Sequence, residues 1–380
     1  MADFQVKVVE LQIEEHPNAD ALELARIGDY RSVVRKGQFN SGDLAVYIPE
    51  QAVLPEWLIK ALGLEGRLAG KQKNRVKAVK LRGVLSQGLV YPLELEQAVD
   101  ADYNSGTETP FPIWVLEAQD EIGPKRLHVY LGMDVTDYLG IVKYEPPIPT
   151  HMAGEVFNAM GRTLKYDIEN LKKYPNIIKD GEIVCVTEKI HGTWACFGYH
   201  PDFDVPIVTS KGLSARGLAF KHNEQNENNL YVRTFKKFEY ALEAAKESFP
   251  GEPVYLLGEI FGRGVQDLQY GAMEPDFRLF DVYVGNPGEG GYIPAHSFTL
   301  WATEHLGVAA VPHIYTGPFD RDYIDTITNG TETVSEKATN IREGVVIKPM
   351  MERVDDEIGR VILKSVSEDY LLRKGGTEYN

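Results

Sequence analysis

The stretch "TEKIHGTW", Thr187 to Trp194, follows the apolar run "EIVCV" and sets Lys189 against a turn made by Gly192, with His191 between them. An amine at the end of a buried strand is a structural ion-pair partner or a nucleophile. Four later apolar runs each carry ionisable residues in or beside them: "VYLLGEIFG" has Glu259, "FRLFDVYVG" surrounds Phe280, "EGVVIKP" has Glu343 and Lys348, and "GRVILKSVS" has Lys364. One ionisable residue in a core strand is commonly an isolated pair or a solvent-edge position. The repetition over four strands predicts that their charges converge on one cleft. Lys211, in "TSKGLSARG", joins the set.

The elements that must position these residues follow from periodicity. Residues 1 to about 95 read as short strands broken by turns: "FQVKVVEL", "LELARIG", "YRSVVRKG", "DLAVYIP", "RVKAVKLRG" and "QGLVYPL". Strands at this spacing suggest a small barrel or sandwich. The polar, proline-bearing stretch 101–125 reads as a surface insertion. "VTDYLGIVKYEPPIPT" ends in a stiff proline-rich segment suited to joining domains, which puts a boundary near Pro149. Beyond it, Tyr231, Phe235, Phe238, Leu242 and Ala245 recur at helical spacing up to Pro250, a core stripe.

Composition narrows the class. With 380 residues, 43% of them apolar and 25% charged, the chain can bury two or three real cores. The acidic start lacks the apolar core of a signal peptide, and no run of about 18 apolar residues occurs, so a cytoplasmic protein, or a nuclear one in a eukaryote, is expected, with no membrane. The two cysteines, Cys185 and Cys196, are too few for a disulfide framework and read as small buried residues on adjacent strands. A net charge of −16 argues against coating nucleic acid by bulk electrostatics. "KQKNRVKAVKLR", Lys71 to Arg82, is the exception: six basic residues and no acid, leaving −22 for the rest. As a strand it would place Lys71, Lys73, Arg75 and Lys77 on one face at about 6.6 Å spacing, close to a phosphate repeat; a solvated edge strand guarded by lysines explains it equally well.

The ordered set of Lys189, Gly192, Thr193, Lys211, Glu259, Phe280, Glu343, Lys348 and Lys364 resembles the covalent nucleotidyltransferases, the superfamily of ATP-dependent ligases and capping enzymes with six collinear motifs around a lysine. "KIHG" looks like the RNA ligase version of the lysine motif, where DNA ligases and capping enzymes usually have an aspartate in place of His191. Only 16 residues follow Lys364, too few for the OB-fold that those enzymes carry after the catalytic domain. "HPNADALELARIGDY" instead looks like the opening of an OB-fold near the start. Together with "AVKLRGVLSQGLVYPL" and "LGIVKYEPPIP", the arrangement resembles the RNA ligase family that has an N-terminal OB domain and a C-terminal ligase domain.

The resemblance implies an α+β chain: an OB-like β-barrel domain over 1–149, with the 101–125 insertion, and a nucleotidyltransferase domain of ATP-grasp-like antiparallel sheets with helices over 150–380. It implies that Lys189 attacks the α-phosphorus of ATP and carries AMP as a phosphoramidate. At a reference pKa of about 10.4 only about one lysine in a thousand is neutral near pH 7.4, so the site is expected to depress that value, by a divalent metal and by Lys348 or Lys364. Glu259 and Glu343 would hold Mg²⁺ or Mn²⁺, with His191 in an outer-sphere role. Lys211, Lys348 and Lys364 would carry phosphate charge, Phe280 would stack on adenine, and Glu188 and Gly192 would lie by the nucleotide. The partners would be RNA ends or a nicked duplex with a 5′-phosphate and a 3′-OH, and a monomer is expected. One departure stands out: the family's last motif reads K-x-K, and Ile362 takes its first place here, with Arg360 the candidate substitute. Lys165 and Lys172 are the candidates for a basic residue ahead of the lysine motif. The rival readings are a non-catalytic RNA-binding protein with a degenerate nucleotidyltransferase domain, and a capping-type guanylyltransferase.

Overall fold

The structure, a computed structural model, describes residues 4–102, 107–120, 122–335 and 337–377. Its contacts divide the chain into two compact units that meet at Glu145 and Pro146, inside the proline-rich segment. Among the described residues no helix is long and apolar enough to cross a membrane.

In the first unit the alternating runs form antiparallel strands. Lys7–Glu10, Leu44–Ile48 and Leu89–Pro92 make one sheet with Leu44–Ile48 in the middle. Gln12–Glu15, Leu22–Ile27 and Tyr30–Arg35 make another. Val8, Val46 and Ile48 are fully buried in a core closed by Leu58 of the short helix Glu56–Ala61. This is the half-buried strand pattern that period-2 apolar spacing encodes.

Two expectations for this unit are corrected. The stretch 101–125, where it lies within the described residues, is not a surface insertion. It supplies most of an antiparallel sheet made by Glu94–Asp102, Thr107–Gln119 and Pro124–Val129. Val115, Leu116 and Ala118 are buried, so the stretch contributes to the core despite its polar appearance. Nor is Lys71 to Arg82 a strand. Gly70 and Lys73 have positive φ (83° and 55°) and turn the chain, and only Val79–Leu81 is extended, in a hairpin with Val84–Ser86. Val76 is drawn into the core and Arg75 goes with it, its guanidinium 3.6 Å over the Tyr144 ring. Lys71, Lys73, Lys77, Lys80 and Arg82 stay exposed without sharing one strand face.

The second unit is built on two five-stranded sheets. The first has the order Glu169–Asn170, Leu363–Val366, Gly344–Pro349, Ile183–Lys189, His313–Pro318. The second runs Ile207–Ser210, Thr193–Tyr199, Val254–Phe261, Asp276–Val284, Gly291–Tyr292. The helix Leu230–Ser248 starts on Asn229, whose side chain accepts from the Tyr231 and Val232 N–H groups. It buries Tyr231, Phe235, Leu242 and Ala245 in a core that includes Phe197, Leu256 and Phe277 of the second sheet. At roughly 1.5–3 kcal/mol for each large apolar side chain, that stripe outweighs the helix's own weak intrinsic preference. "GRVILKSVS" is not one continuous strand: Gly359–Arg360 hairpins back on Val354–Asp355, and the chain resumes as Leu363–Val366. The cysteines are both free and buried, but they stand in different sheets rather than on paired strands.

Candidate active site

"KIHG" is the crossing between the two sheets. Lys189 ends the strand Ile183–Lys189 of the first, and Thr193 opens the strand Thr193–Tyr199 of the second. The turn must pass close under Val254–Phe261: a Cβ on Gly192 would sit 2.1 Å from the Ile260 carbonyl oxygen, so only glycine fits. The Gly192 N–H donates to Glu259 Oε1 at 3.1 Å, tying the turn to the carboxylate opposite.

Sheet register gathers the rest. In the first sheet Thr187 pairs with Val346, and Val346 with Lys364. Side chains alternate along a strand, so Lys189 and Lys348, two residues on from Thr187 and Val346, join them on one face. The second sheet contributes Glu259, opposite Trp194, and Phe280. Between them lies a cleft enclosing about 1030 Å³ including its open mouth. Glu188, Lys189, Gly192, Lys211, Glu259, Phe280, Lys348 and Lys364 line it, with Tyr166 and Trp194. Neither Lys165 nor Lys172 borders it.

Lys189 Nζ donates to Glu343 Oε1 at 2.6 Å, while the other oxygen, Glu343 Oε2, is buried with no hydrogen-bond partner. Glu188 is almost fully buried. Its Oε2 accepts from the Thr333 N–H at 2.7 Å and from the Thr333 hydroxyl, and its Oε1 has no hydrogen-bond partner. Phe280 packs on Tyr166, ring centroids 5.2 Å apart. Lys211 reaches Asp167 at 3.1 Å and is half exposed.

The electrostatics correct one expectation. Burial works against the charged form of Lys189, but the Glu343 and Glu259 carboxylates outweigh it and hold the amine above its ordinary value. The protein atoms by themselves therefore keep this amine protonated rather than depressing its pKa. Glu259 is pushed up to about 8, first by burial and then by Glu343, against the pull of Lys189. Lys364 is lowered to about 8 by burial and by the charges of Lys189 and Lys211.

The Lys364 shift has a measurable consequence. The unfolded chain binds this proton up to about pH 10.5 and the folded one only up to about 8, so the charged amine penalises folding fully below pH 8 and not at all above 10.5. Lys364→Met is expected to be more stable than the wild type at pH 7 by roughly 1–3 kcal/mol. The difference should shrink between pH 8 and 10.5, as read from denaturant midpoints. A variant no more stable at pH 7 would contradict the shift.

Three further residues sit differently from their expected roles. Lys348 borders the cleft, but its ammonium is engaged: it donates to the Phe280 carbonyl at 2.7 Å and to Asp281 at 2.8 Å. Arg360 does not substitute at the missing basic position. Its guanidinium grips Asp281 at 2.9 and 3.1 Å and Glu352 at 2.6 and 2.8 Å, and lies 3.5 Å over the Tyr292 ring. Ile362 itself is core, buried against Trp194, Tyr166 and Val346. His191 is turned away from the cleft with both ring nitrogens occupied: Nε2 is 2.8 Å from Asp267 and Nδ1 is 2.9 Å from the Tyr370 hydroxyl. An outer-sphere metal role needs a ring nitrogen facing the cleft, and none does.

Sequence reading missed Asp281, Tyr166, Thr333 and Asp267. Asp281 had a signal, a carboxylate inside the buried run "FRLFDVYVG". Thr333 and Asp267 had none, because they lie in irregular segments brought in from far along the chain.

Glu259 lines the cleft, and Glu343 meets Lys189 beside it. Among the described residues no group of three or more His, Cys, Asp or Glu could hold a metal by itself. A pair of carboxylates, one with a buried unpartnered oxygen, suits an ion that completes its shell with water and substrate phosphate oxygens.

Two largely antiparallel sheets joined by a lysine-bearing turn, with carboxylates and lysines facing one cleft, define a nucleotidyltransferase domain. The family follows from the sequence model that matches residues 182–366, described as RNA ligase, and from an OB-fold domain model that matches 5–93. The second unit belongs to the RNA ligase family, and the first is an OB-fold domain. No curated protein sequence matches the chain. Solved structures of the Naegleria gruberi RNA ligase share the whole fold. A glutamate-to-alanine variant with AMP and Mn superposes with TM-score 0.73 at 22% identity, and a form with PPi with 0.72 at 21%; each match covers 97% of this chain and 98% of the other. Variants of that ligase include a lysine and an aspartate two positions beyond it.

Proposed function

We propose that this chain is an ATP-dependent RNA ligase that joins 3′-OH and 5′-phosphate ends, in RNA repair. The observation that carries the reading is Lys189, held 2.6 Å from Glu343 in a cleft that also presents Glu259, Lys211 and Lys364, within a domain of the RNA ligase family. The Lys189 nitrogen would form a bond to the α-phosphorus of ATP as the bond to pyrophosphate breaks. AMP would then pass to the 5′-phosphate of an RNA end, and a 3′-OH would displace it. Lys211 and Lys364 would meet phosphate charge, and Phe280, backed by Tyr166, would stack on the base. The unpartnered Glu188 Oε1 suits an exocyclic amine such as that of adenine. Lys348, held by Asp281, would present its charge from the floor of the cleft. Mg²⁺ or Mn²⁺ held by Glu259 and Glu343 would supply charge neutralisation at the phosphates and relieve Lys189 of its carboxylate partners. The proposal includes a monomer acting in the cytoplasm, or in the nucleus of a eukaryote.

The test is incubation with α-labelled ATP and either metal. A covalent adduct with ATP and none with GTP is expected. No adduct would favour the non-catalytic RNA-binding reading, which the core position of Ile362 supports. An adduct with GTP alone would favour a guanylyltransferase.

The OB-fold unit would bind RNA through its exposed lysines. Replacing Lys73, Lys77 and Lys80 by alanine is expected to leave adenylylation intact and to lower the salt slope of RNA binding by about 2–3. An unchanged slope would remove these residues from the interface. Arg75 is excluded from the set because it is buried against Tyr144.

A further inference from the structure

The turn that follows Lys189 is fastened at five points. The His191 N–H donates to the Tyr270 hydroxyl at 2.7 Å, its Nε2 faces Asp267 Oδ1 at 2.8 Å, and its Nδ1 faces the Tyr370 hydroxyl at 2.9 Å. The Gly192 N–H goes to Glu259, and the Gly192 carbonyl accepts from Gln266 Nε2 at 3.2 Å. A carboxylate only accepts, so Nε2 carries a hydrogen toward Asp267, and in the neutral ring Nδ1 then accepts from Tyr370; Arg373 Nη2 also lies 3.3 Å from Nε2.

Two of these anchors, Gln266 and Asp267, are themselves gripped by the C-terminal tail. Arg373 bridges both Asp267 oxygens at 2.9 and 3.2 Å and lies 3.7 Å over the Tyr370 ring. The Thr377 N–H donates to Asp267 Oδ1 at 2.8 Å, and its hydroxyl accepts from the Asp267 N–H at 2.8 Å and sits 2.9 Å from Gln266 Oε1. All of these tail residues lie beyond residue 366, where the match to the RNA ligase family model stops.

We infer that Asp267 is a positioning residue for the nucleophile, acting through His191, and that the tail from Tyr370 to Thr377 is the latch that holds Asp267 in place. The inference rests on the ligase reading of Lys189. Its physical basis is leverage. The turn fixes where Lys189 leaves its strand and which way Gly192 aims its N–H at Glu259, and a misplacement of about 1 Å at a reacting group costs about 10²-fold in rate. The bidentate Arg373 grip and the two Thr377 bonds remove the freedom of Asp267 to rotate away from His191.

The experiment is single-turnover self-adenylylation, with the ATP KM measured alongside, on full-length Asp267→Asn, Arg373→Met and Thr377→Val. The first two are expected to lose about 10–100-fold in rate at saturating ATP with KM within about threefold, and the third to lose less. The ring ¹⁵N signals of His191 should show the Nε2–H form in the wild type and a changed balance in Asp267→Asn. Variants that turn over at the wild-type rate per folded molecule, whatever their unfolding temperature, overturn the inference. Should Asp267→Asn fail to fold, Arg373→Met, in the tail outside both sheets, decides by the same criterion. A wild type that forms no adduct overturns the ligase reading and this inference with it. A wild-type adduct with unchanged variant rates overturns this inference alone.

Discussion

Lys189→Arg is expected to fold as the wild type does and to form no covalent nucleotide adduct, a loss of about 10⁴-fold or more. The guanidinium keeps a cation against Glu343, the partner 2.6 Å from the native amine, but it cannot be deprotonated and so cannot attack. Lys189→Met removes the cation as well and separates the two roles of the residue. Glu259 is already pushed up to about 8 with Lys189 pulling against the shift, and without Lys189 it moves higher. An unfolded carboxylate ionises near pH 4.3, so between that pH and the folded pKa the unfolded chain holds fewer protons, and stability falls as pH rises. The methionine variant should therefore lose more stability than the arginine variant between pH 5 and 8. Gel autoradiography and intact mass read the adduct, and urea midpoints read the stability. A labelled arginine variant would remove Lys189 as the carrier of AMP.

The second large effect is at Asp281. This carboxylate is 1% exposed and holds Lys348 at 2.8 Å, both arms of Arg360, and the Tyr166 hydroxyl. Burial opposes its charge, yet Arg360 and Lys348 bring it down to about 2. Asp281→Ala leaves two cations with an empty partner position in the floor of the cleft. Breaking a buried charge cluster from one side costs about 3–5 kcal/mol, which in a domain of this size lowers the unfolding temperature by about 6–20 °C. The native carboxylate contributes stability above its unfolded pKa of about 3.9 and loses it as pH falls through 2, so the gap between wild type and variant should close in that window. Asp281→Asn, which keeps the shape and loses the charge, should fall between them. A loss under about 1 kcal/mol for the alanine variant would mean that Lys348 and Arg360 find other partners.

Much of the second unit was legible because its strands are continuous apolar runs and its long helix carries an apolar stripe at 3.6-residue spacing. The same logic failed where composition misleads. Residues 101–125 look like a polar loop, yet Leu116 and Ala118, two apart on one face of their strand, are core, since a strand needs only alternate positions to be apolar. The basic run from Lys71 looks like a strand, yet Gly70 and Lys73 turn it and Val76 anchors it inward. Such turns depend on backbone conformations that residue type only weakly restricts.

By itself the sequence determined the order of the chemistry-bearing strands, the glycine that the turn after Lys189 requires, and the convergence of Lys189, Glu259, Phe280, Lys348 and Lys364 on one cleft. Period-2 alternation on sheets that pair in register leaves little freedom in that outcome. Only the tertiary structure decided who pairs with whom: that Lys189 meets Glu343, that Lys348 and Arg360 share Asp281, and that His191 faces Asp267 and Tyr370 rather than the cleft. These partners stand 67 to 179 residues apart. Pairings at that range follow from sheet packing and loop closure, which leave no local trace in the chain.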